Sequence, residues 1–291
     1  MNDASSRLGG GGPSRTAVVT ARARAYHQIA DRPLILDDPL AVAVTGCDPK
    51  ELADPVPGPP DGPDREVRPR RLFFAARSRF AEDTVAAAYA DGVRQVVVLG
   101  AGLDTFAYRN PHADLRVFEV DHPASQEWKR DRLAEAGIVV PSNASLVPVD
   151  FEKDDLGHRL AAAGFLRTDP AVFVWLGVVF YLTEDAVGST LGYLAGQGRP
   201  TEVVFDYLTP PTTPEGRERF RERADRLAAA GEPWFSFFTP PALETRLRAL
   251  GFTEVEDLSA AELIDGYLGT SEFAVDAPAS VGPSRILRAR R

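Results

Sequence analysis

Residues 95 to 109 read QVVVLGAGLDTFAYR, and this stretch constrains the chain more than any other. Val96, Val97, Val98 and Leu99 form an unbroken apolar run, the pattern of a parallel strand buried on both faces. Gly100-Ala101-Gly102 follows at once. Glycine permits a tight turn after the strand and lets a ligand approach the backbone closely. Asp104 comes two residues later, where it can cap the next helix or meet a cationic ligand group. In α/β sheets, a glycine turn at the carboxyl end of a strand is where nucleotide-type ligands bind. Two common nucleotide loops are excluded. Thr105 stands where the dinucleotide fingerprint has its third glycine, and no Gly-Lys-Ser/Thr phosphate cradle follows. The next apolar run ends in Asp121, about 20 residues after the glycines, where a ribose-binding carboxylate belongs.

From residue 95 onward, short apolar runs alternate with helical patterns. Strands are expected at 96–99, 116–120, 145–149, 171–176, 201–207, 253–258 and 286–289. Helices are expected at 71–90, 124–136, 156–163, 183–195, 214–230 and 240–250. This alternation implies an α/β fold, a parallel sheet with helices on both faces. Ligands then bind beyond the carboxyl ends of the strands, here Gly100 to Asp104, Asp121, Asp150-Phe151 and the segment from Gly177 to Tyr181. A glycine loop followed by two strand-end acids suits a nucleoside with an amino-acid tail.

Upstream, residues 1–14 are Gly/Ser-rich and expected to be a disordered tail. Residues 15–70 are expected to form a helical cap, and 71–291 the core. Helices are predicted at 15–30, with Val18, Val19, Ala25, Tyr26 and Ile29 on an apolar face, and at 39–44. The Pro/Gly-rich stretch 54–69 is expected to be a mobile loop, so that the cap acts as packing or as a lid that orders over the site.

Composition narrows the function. A net charge of −9 leaves no basic excess for nucleic-acid phosphates. The only cysteine, Cys47, rules out an intramolecular disulfide or a cysteine zinc site, and the four histidines lack zinc spacing, so no metal is expected. No apolar run reaches the ~18–20 residues of a membrane span, and the N-terminus has no apolar signal core. A cytoplasmic protein is expected; the sequence leaves its oligomeric state open.

Three segments carry a family resemblance. Residues 77–80 (RSRF), 97–109 (VVLGAGLDTFAYR) and 118–123 (FEVDHP) resemble the leucine carboxyl methyltransferase-like family of class I S-adenosylmethionine-dependent methyltransferases. The resemblance runs from about Ala17 to the C-terminus. It implies a Rossmann-like seven-stranded, mostly parallel sheet with an antiparallel last strand and an N-terminal helical cap. It also implies S-adenosylmethionine as cofactor. By position, Arg77 would pair with the methionine carboxylate, with Arg79 as the alternative. Gly100, Ala101 and Gly102 would line the methionine and ribose side, and Asp104 would face the amino group. Asp121 would accept ribose hydroxyls, with His122 beside it. Asp150 and Phe151 would meet the adenine, and Trp175, Leu176 and Gly177 would border the cofactor. Many members carry an acid just after the fourth strand; residues 175–181 (WLGVVFY) have none.

Tyr108, Tyr181 and His122 are candidates for orienting the acceptor; core packing for the tyrosines and capping for His122 fit the sequence as well. The run 232–238 (EPWFSFF) can wall an apolar pocket or serve as core. The expected activity is O-methylation of a carboxylate on a small natural product or peptide. The alternatives are a phenolic O- or N-methyltransferase, a non-catalytic cofactor-binding partner protein, and a Rossmann-type oxidoreductase.

Overall fold

Seven strands form a single sheet in the computed structural model of the chain, which describes residues 14–50, 52, 64–151, 153–229, 231–275 and 281–291. The strands are β1 (Gln95–Leu99), β2 (Arg116–Asp121), β3 (Ala144–Pro148), β4 (Ala171–Trp175), β5 (Thr201–Leu208), β6 (Glu254–Ser259) and β7 (Ser284–Arg290). Their order is β3-β2-β1-β4-β5-β7-β6. β1 to β5 are mutually parallel, and β7 runs antiparallel to both β5 and β6. The chain builds outward from β1 to β3, then returns to add β4 on the other side. That reversal opens a crevice at the carboxyl ends of β1 and β4.

Eleven α-helices lie among the described residues: α1 (Arg15–Ala30), α2 (Ala41–Thr45), α3 (Asp64–Ala90), α4 (Phe106–Arg109), α5 (Pro123–Glu135), α6 (Leu156–Ala162), α7 (Glu184–Ala195), α8 (Pro214–Ala229), α9 (Pro240–Ala249), α10 (Ala260–Leu268) and α11 (Glu272–Val275). Alternate strand residues feed two cores. Val96, Val98, Val174 and Ile286 pack with α3 and α10. Val97, Leu99, Phe173, Trp175 and Phe205 pack with α7 and α9 on the other face. Every residue of β1, β4 and β5 is buried, which explains why β1, β4 and the Val203–Phe205 centre of β5 read as apolar without alternation, while β5 also buries Thr201, Glu202 and Asp206.

Two local expectations are corrected. Residues 64–69, expected to belong to a mobile loop, form the first turns of α3, and Pro69 sits inside that helix. Tertiary contacts hold this end against the proline. Arg71 makes two hydrogen bonds to the buried Asp31 at 2.8 and 3.0 Å, and Arg68 lies 3.4 Å from the same carboxylate. The rest of that stretch, 54–63, and the tail 1–13 lie outside the described residues. The cap boundary expected at residue 70 falls within α3.

In α1 the buried residues are Thr20, Ala21, Ala23, Arg24, Ala25 and His27, whereas Ile29 is exposed and Val18, Val19 and Tyr26 are half-buried. Small side chains face inward where α1 packs on α2 and α3, and its buried polar groups find partners. His27 Nδ1 hydrogen-bonds Asp31 at 2.9 Å, and His27 Nε2 accepts from Ile35 N at 3.1 Å. Among the described residues, no helix is long and apolar enough to cross a membrane.

Candidate functional site

The site is built at the carboxyl ends of β1, β2, β4 and β5. After Leu99, the N–H groups of Gly100 and Ala101 both donate to Val120 O, at 2.8 and 3.1 Å, so the chain turns over the end of β2. Gly100 has φ +70°, and a Cβ there would lie 2.3 Å from Val178 Cγ2. The glycine is therefore required by the segment after β4, which packs directly on the loop. Gly102 has φ +45°, and its N–H donates to Asp121 Oδ2 at 2.6 Å. Asp121 Oδ1 accepts from His122 N at 2.7 Å. The strand-end acid and the glycine loop thus form one unit, as their spacing suggests. Asp104 Oδ1 accepts from Phe106 N two residues on at 2.8 Å, a local turn ahead of α4, whose cap position is Thr105.

Asp150 follows β3, next to the end of β2, where Val149 N donates to Asp121 O at 2.9 Å. Its carboxylate receives Lys153 Nζ at 2.6 Å. Phe151 lies in the adjoining turn with 37% of its surface exposed. Trp175 is only 1% exposed and points into the core beside Phe205. The half-buried Leu176, with Ser78, Glu82, Asp104 and Phe106, lines a small cavity between α3 and the ends of β1 and β4.

The structure separates the two arginines of α3. Arg79 is exposed and pairs with Asp83 one turn on at 2.8 Å. Arg77 is buried, lies over the Phe74 ring at 4.8 Å, and donates through Nη1 to Asp206 Oδ2 at 2.5 Å. Its Nε is buried and has no hydrogen-bond partner among the described residues. Asp206, near the end of β5, escapes a reading of the sequence because it lies inside an apolar strand.

The cap is fastened to this rim by contacts that the sequence pattern does not reveal. Arg24 Nη2 donates to Leu103 O at 2.7 Å. Thr105 Oγ1 donates to Asp38 Oδ2 at 2.6 Å, and Arg109 Nε lies 3.3 Å from Asp38 Oδ1. Arg109 also clamps Glu82 of α3 through both Nη atoms. Burial nonetheless outweighs Arg109 and holds the Glu82 carboxyl above its ordinary range. Asp38 stands in the run Asp37-Asp38-Pro39, which by itself reads as a helix breaker.

The three candidate orienting residues sit in different settings. Tyr108 donates to Glu119 Oε2 at 2.6 Å, and Lys129 holds the other oxygen at 2.9 Å. This buried network spends the Tyr108 hydroxyl inside the protein, where burial and Glu119 push it well above its ordinary value. His122 caps α5, with Nδ1 accepting from Ala124 N at 3.3 Å. Tyr181 stands at the rim in a 3-10 turn after β4. Its hydroxyl hydrogen-bonds Thr16 Oγ1 at 3.1 Å, Thr16 in turn donates to Glu232, and burial raises the phenol.

The aromatic run lies along the ends of β4 and β5. Phe235 N donates to Phe180 O, Ser236 Oγ to Val179 O and Phe238 N to Leu208 O. Trp234 meets Phe180 edge-on at 6.0 Å and Phe220 at 5.3 Å. The Arg223 guanidinium lies over Trp234 at 5.0 Å, and burial and neighbouring Arg70 push it down to about 9. It remains cationic at neutral pH.

Comparison with known proteins adds four findings. The family model for leucine carboxyl methyltransferase matches residues 17–195. The chain is 34% identical over 275 residues to the Bacillus subtilis (strain 168) protein named "Putative S-adenosyl-L-methionine-dependent methyltransferase YktD", covering 87% of this chain and 90% of that one. A Mycobacterium ulcerans protein of the same descriptive name is 31% identical over 258 residues, covering 87% and 78%. Among solved structures, one titled a putative methyltransferase from Thermobifida fusca YX superposes with a TM-score of 0.61. It covers 98% of this chain and 97% of its own, and its 16% identity makes the likeness one of fold.

Proposed function

This chain belongs to the leucine carboxyl methyltransferase family and is an S-adenosylmethionine-dependent methyltransferase; from that premise we propose that its acceptor is a carboxylate on a small natural product or peptide and its product a methyl ester. The residues at the rim fit the cofactor. The donor set combines a strand-end carboxylate, Asp121, with a buried guanidinium, Arg77, whose Nε has no partner among the described residues. These suit a ribose diol and an amino-acid carboxylate respectively. Asp121 would hold the ribose, Arg77 the carboxylate, Gly100 to Gly102 the tail, and Asp150 and Phe151 the adenine. Bound there, the cofactor supplies a methyl group on a sulfonium, which needs no activation by the protein.

The remaining work falls to the chain: to orient the acceptor oxygen and exclude water. One observation carries the carboxylate reading. Arg223, stacked on Trp234 and close to Arg70 and Tyr181, places cationic charge at the aromatic end of the rim. A guanidinium recognises a carboxylate by paired, charge-assisted hydrogen bonds. A carboxylate is also already ionised at neutral pH, with an ordinary pKa of about 4, whereas a phenol near ~10 needs a base. Tyr181 and Tyr108 are both held protonated, and His122 Nδ1 is engaged as a cap. The single cysteine suits a reducing compartment, and we assign the enzyme to the cytoplasm.

The test uses labelled cofactor and a panel of small acids, followed by mild base. Labelled methanol release identifies an ester, and Arg223→Gln raises the acceptor KM while leaving S-adenosylhomocysteine affinity intact. A base-stable methyl group on an aromatic oxygen or nitrogen overturns the carboxylate reading and favours the phenolic or N-methyl alternative. Cofactor binding without any S-adenosylhomocysteine product points to a binding partner protein.

A further inference from the structure

Asp206 is a carboxylate that an apolar strand has no packing reason to hold. It is 3% exposed, between the fully buried Phe205 and Tyr207. Burying a carboxylate is costly unless both of its oxygens are satisfied. Asp206 divides its oxygens between two elements. Oδ1 accepts the backbone N–H of Gly177, just after β4, at 2.5 Å, and Oδ2 accepts Arg77 Nη1 of α3 at 2.5 Å. Gly177 has φ +74°, and a Cβ there would stand 3.1 Å from Arg77 Nη2. Arg77, Gly177 and Asp206 therefore lock together as one unit over the Phe74 ring.

The division of labour on the guanidinium is informative. A guanidinium can bind a carboxylate through its Nη1/Nη2 end or through its Nε/Nη2 side. Asp206 takes Nη1 and so leaves the Nε/Nη2 side, and Nε is the buried atom that lacks a partner among the described residues. We propose that Asp206 is a positioning residue: it fixes Arg77 against the Gly177 turn so that the Nε/Nη2 side is presented to the carboxylate of the cofactor's amino-acid tail. The sequence has no acid directly after β4; Asp206 supplies one to that turn from the neighbouring strand. The proposal rests on the reading of Arg77 as the partner of that carboxylate.

The experiment compares two ligands by titration calorimetry on the full chain. S-adenosylhomocysteine carries the amino-acid tail, and 5′-methylthioadenosine lacks it. Asp206→Asn keeps the shape and an acceptor for Gly177 N–H but loses the charge that orients Arg77. It is expected to weaken S-adenosylhomocysteine about tenfold and to leave methylthioadenosine unchanged, the size of one charge-assisted hydrogen bond. Should Asp206→Asn fail to fold by thermal melting, Asp206→Glu keeps the charge, displaces the carboxylate by one methylene and is expected to discriminate the two ligands in the same way. Equal weakening of both ligands means a merely structural role and overturns the proposal, as does no weakening of either. Arg77→Lys tests the underlying reading separately: if it leaves S-adenosylhomocysteine affinity unchanged, the carboxylate is held elsewhere.

Discussion

Gly100→Ala tests the packing of the glycine loop. Alanine at φ +70° pays about 1–2 kcal/mol for the left-handed conformation. Its Cβ would also stand 2.3 Å from Val178 Cγ2, where carbon atoms ordinarily rest at about 3.5–4.0 Å. Val178 must shift by roughly 1 Å or more, and overpacking of this kind costs about 1–3 kcal/mol. Gly100→Ala is therefore expected to destabilise the fold by about 2–5 kcal/mol. Val178→Ala removes the opposing methyl, so the double variant should recover the overlap part and retain the conformational part. The coupling in this cycle is expected at about 1–3 kcal/mol. Urea unfolding followed by tryptophan fluorescence measures each corner. A Gly100→Ala variant within about 0.5 kcal/mol of wild type refutes the reasoning. So does a coupling near zero once the separate cost of Val178→Ala is subtracted, because the cost of Gly100→Ala would then lie wholly in the backbone.

Asp121→Ala should lower S-adenosylhomocysteine affinity by about tenfold or more in calorimetry, since hydrogen bonds to a charged acceptor are worth roughly 1.5–3 kcal/mol. Arg79→Ala should change stability by less than about 0.5 kcal/mol and leave that affinity untouched, because its pair with Asp83 is exposed. For Asp31, burial works to raise the carboxyl, but hydrogen bonds from His27 and Arg71 and their charges win and hold it well below its ordinary 3.8. A depressed folded value means the stabilisation is fully present above pH 3.8 and is lost as pH falls below it. Urea unfolding of the wild type should therefore weaken with acidification below 3.8 more steeply than that of Asp31→Asn, which has already lost the ion pair; parallel curves would count against the pairing.

The strands were legible because a central parallel strand is mostly apolar, and β1, β2, β4 and β5 lie within a residue or two of the expected positions, although β2 and β5 also bury acids at Glu119, Glu202 and Asp206. The link between Gly102 and Asp121 was legible for the same reason: spacing along two adjacent parallel strands translates directly into proximity. Helix α10 was legible and passed over. Ser259 and Glu262 form a capping box in the structure, and Ser-x-x-Glu ahead of an apolar stretch is its sequence sign. The inward face of α1 could not be read from hydrophobicity, since Ala, Thr, Arg and His face inward there while Ile29 faces water.

What the sequence determined by itself is therefore the local and periodic part: the doubly wound sheet, the glycine turn at Leu99–Gly100, the acid ending β2, and through these the family and its cofactor. What only the tertiary structure decided is which charges meet. Arg77 and Arg79 are two residues apart, and nothing in their composition distinguishes them; the helix angle between them turns one into the core and the other into water. Arg77 and Asp206 are 129 residues apart and meet only because the sheet order brings β5 beside β4, under α3. Periodicity reports which side of an element is apolar. It carries no information on the partner of a buried charge, because that partner is chosen by strand order and helix packing, which exist only once the chain has folded.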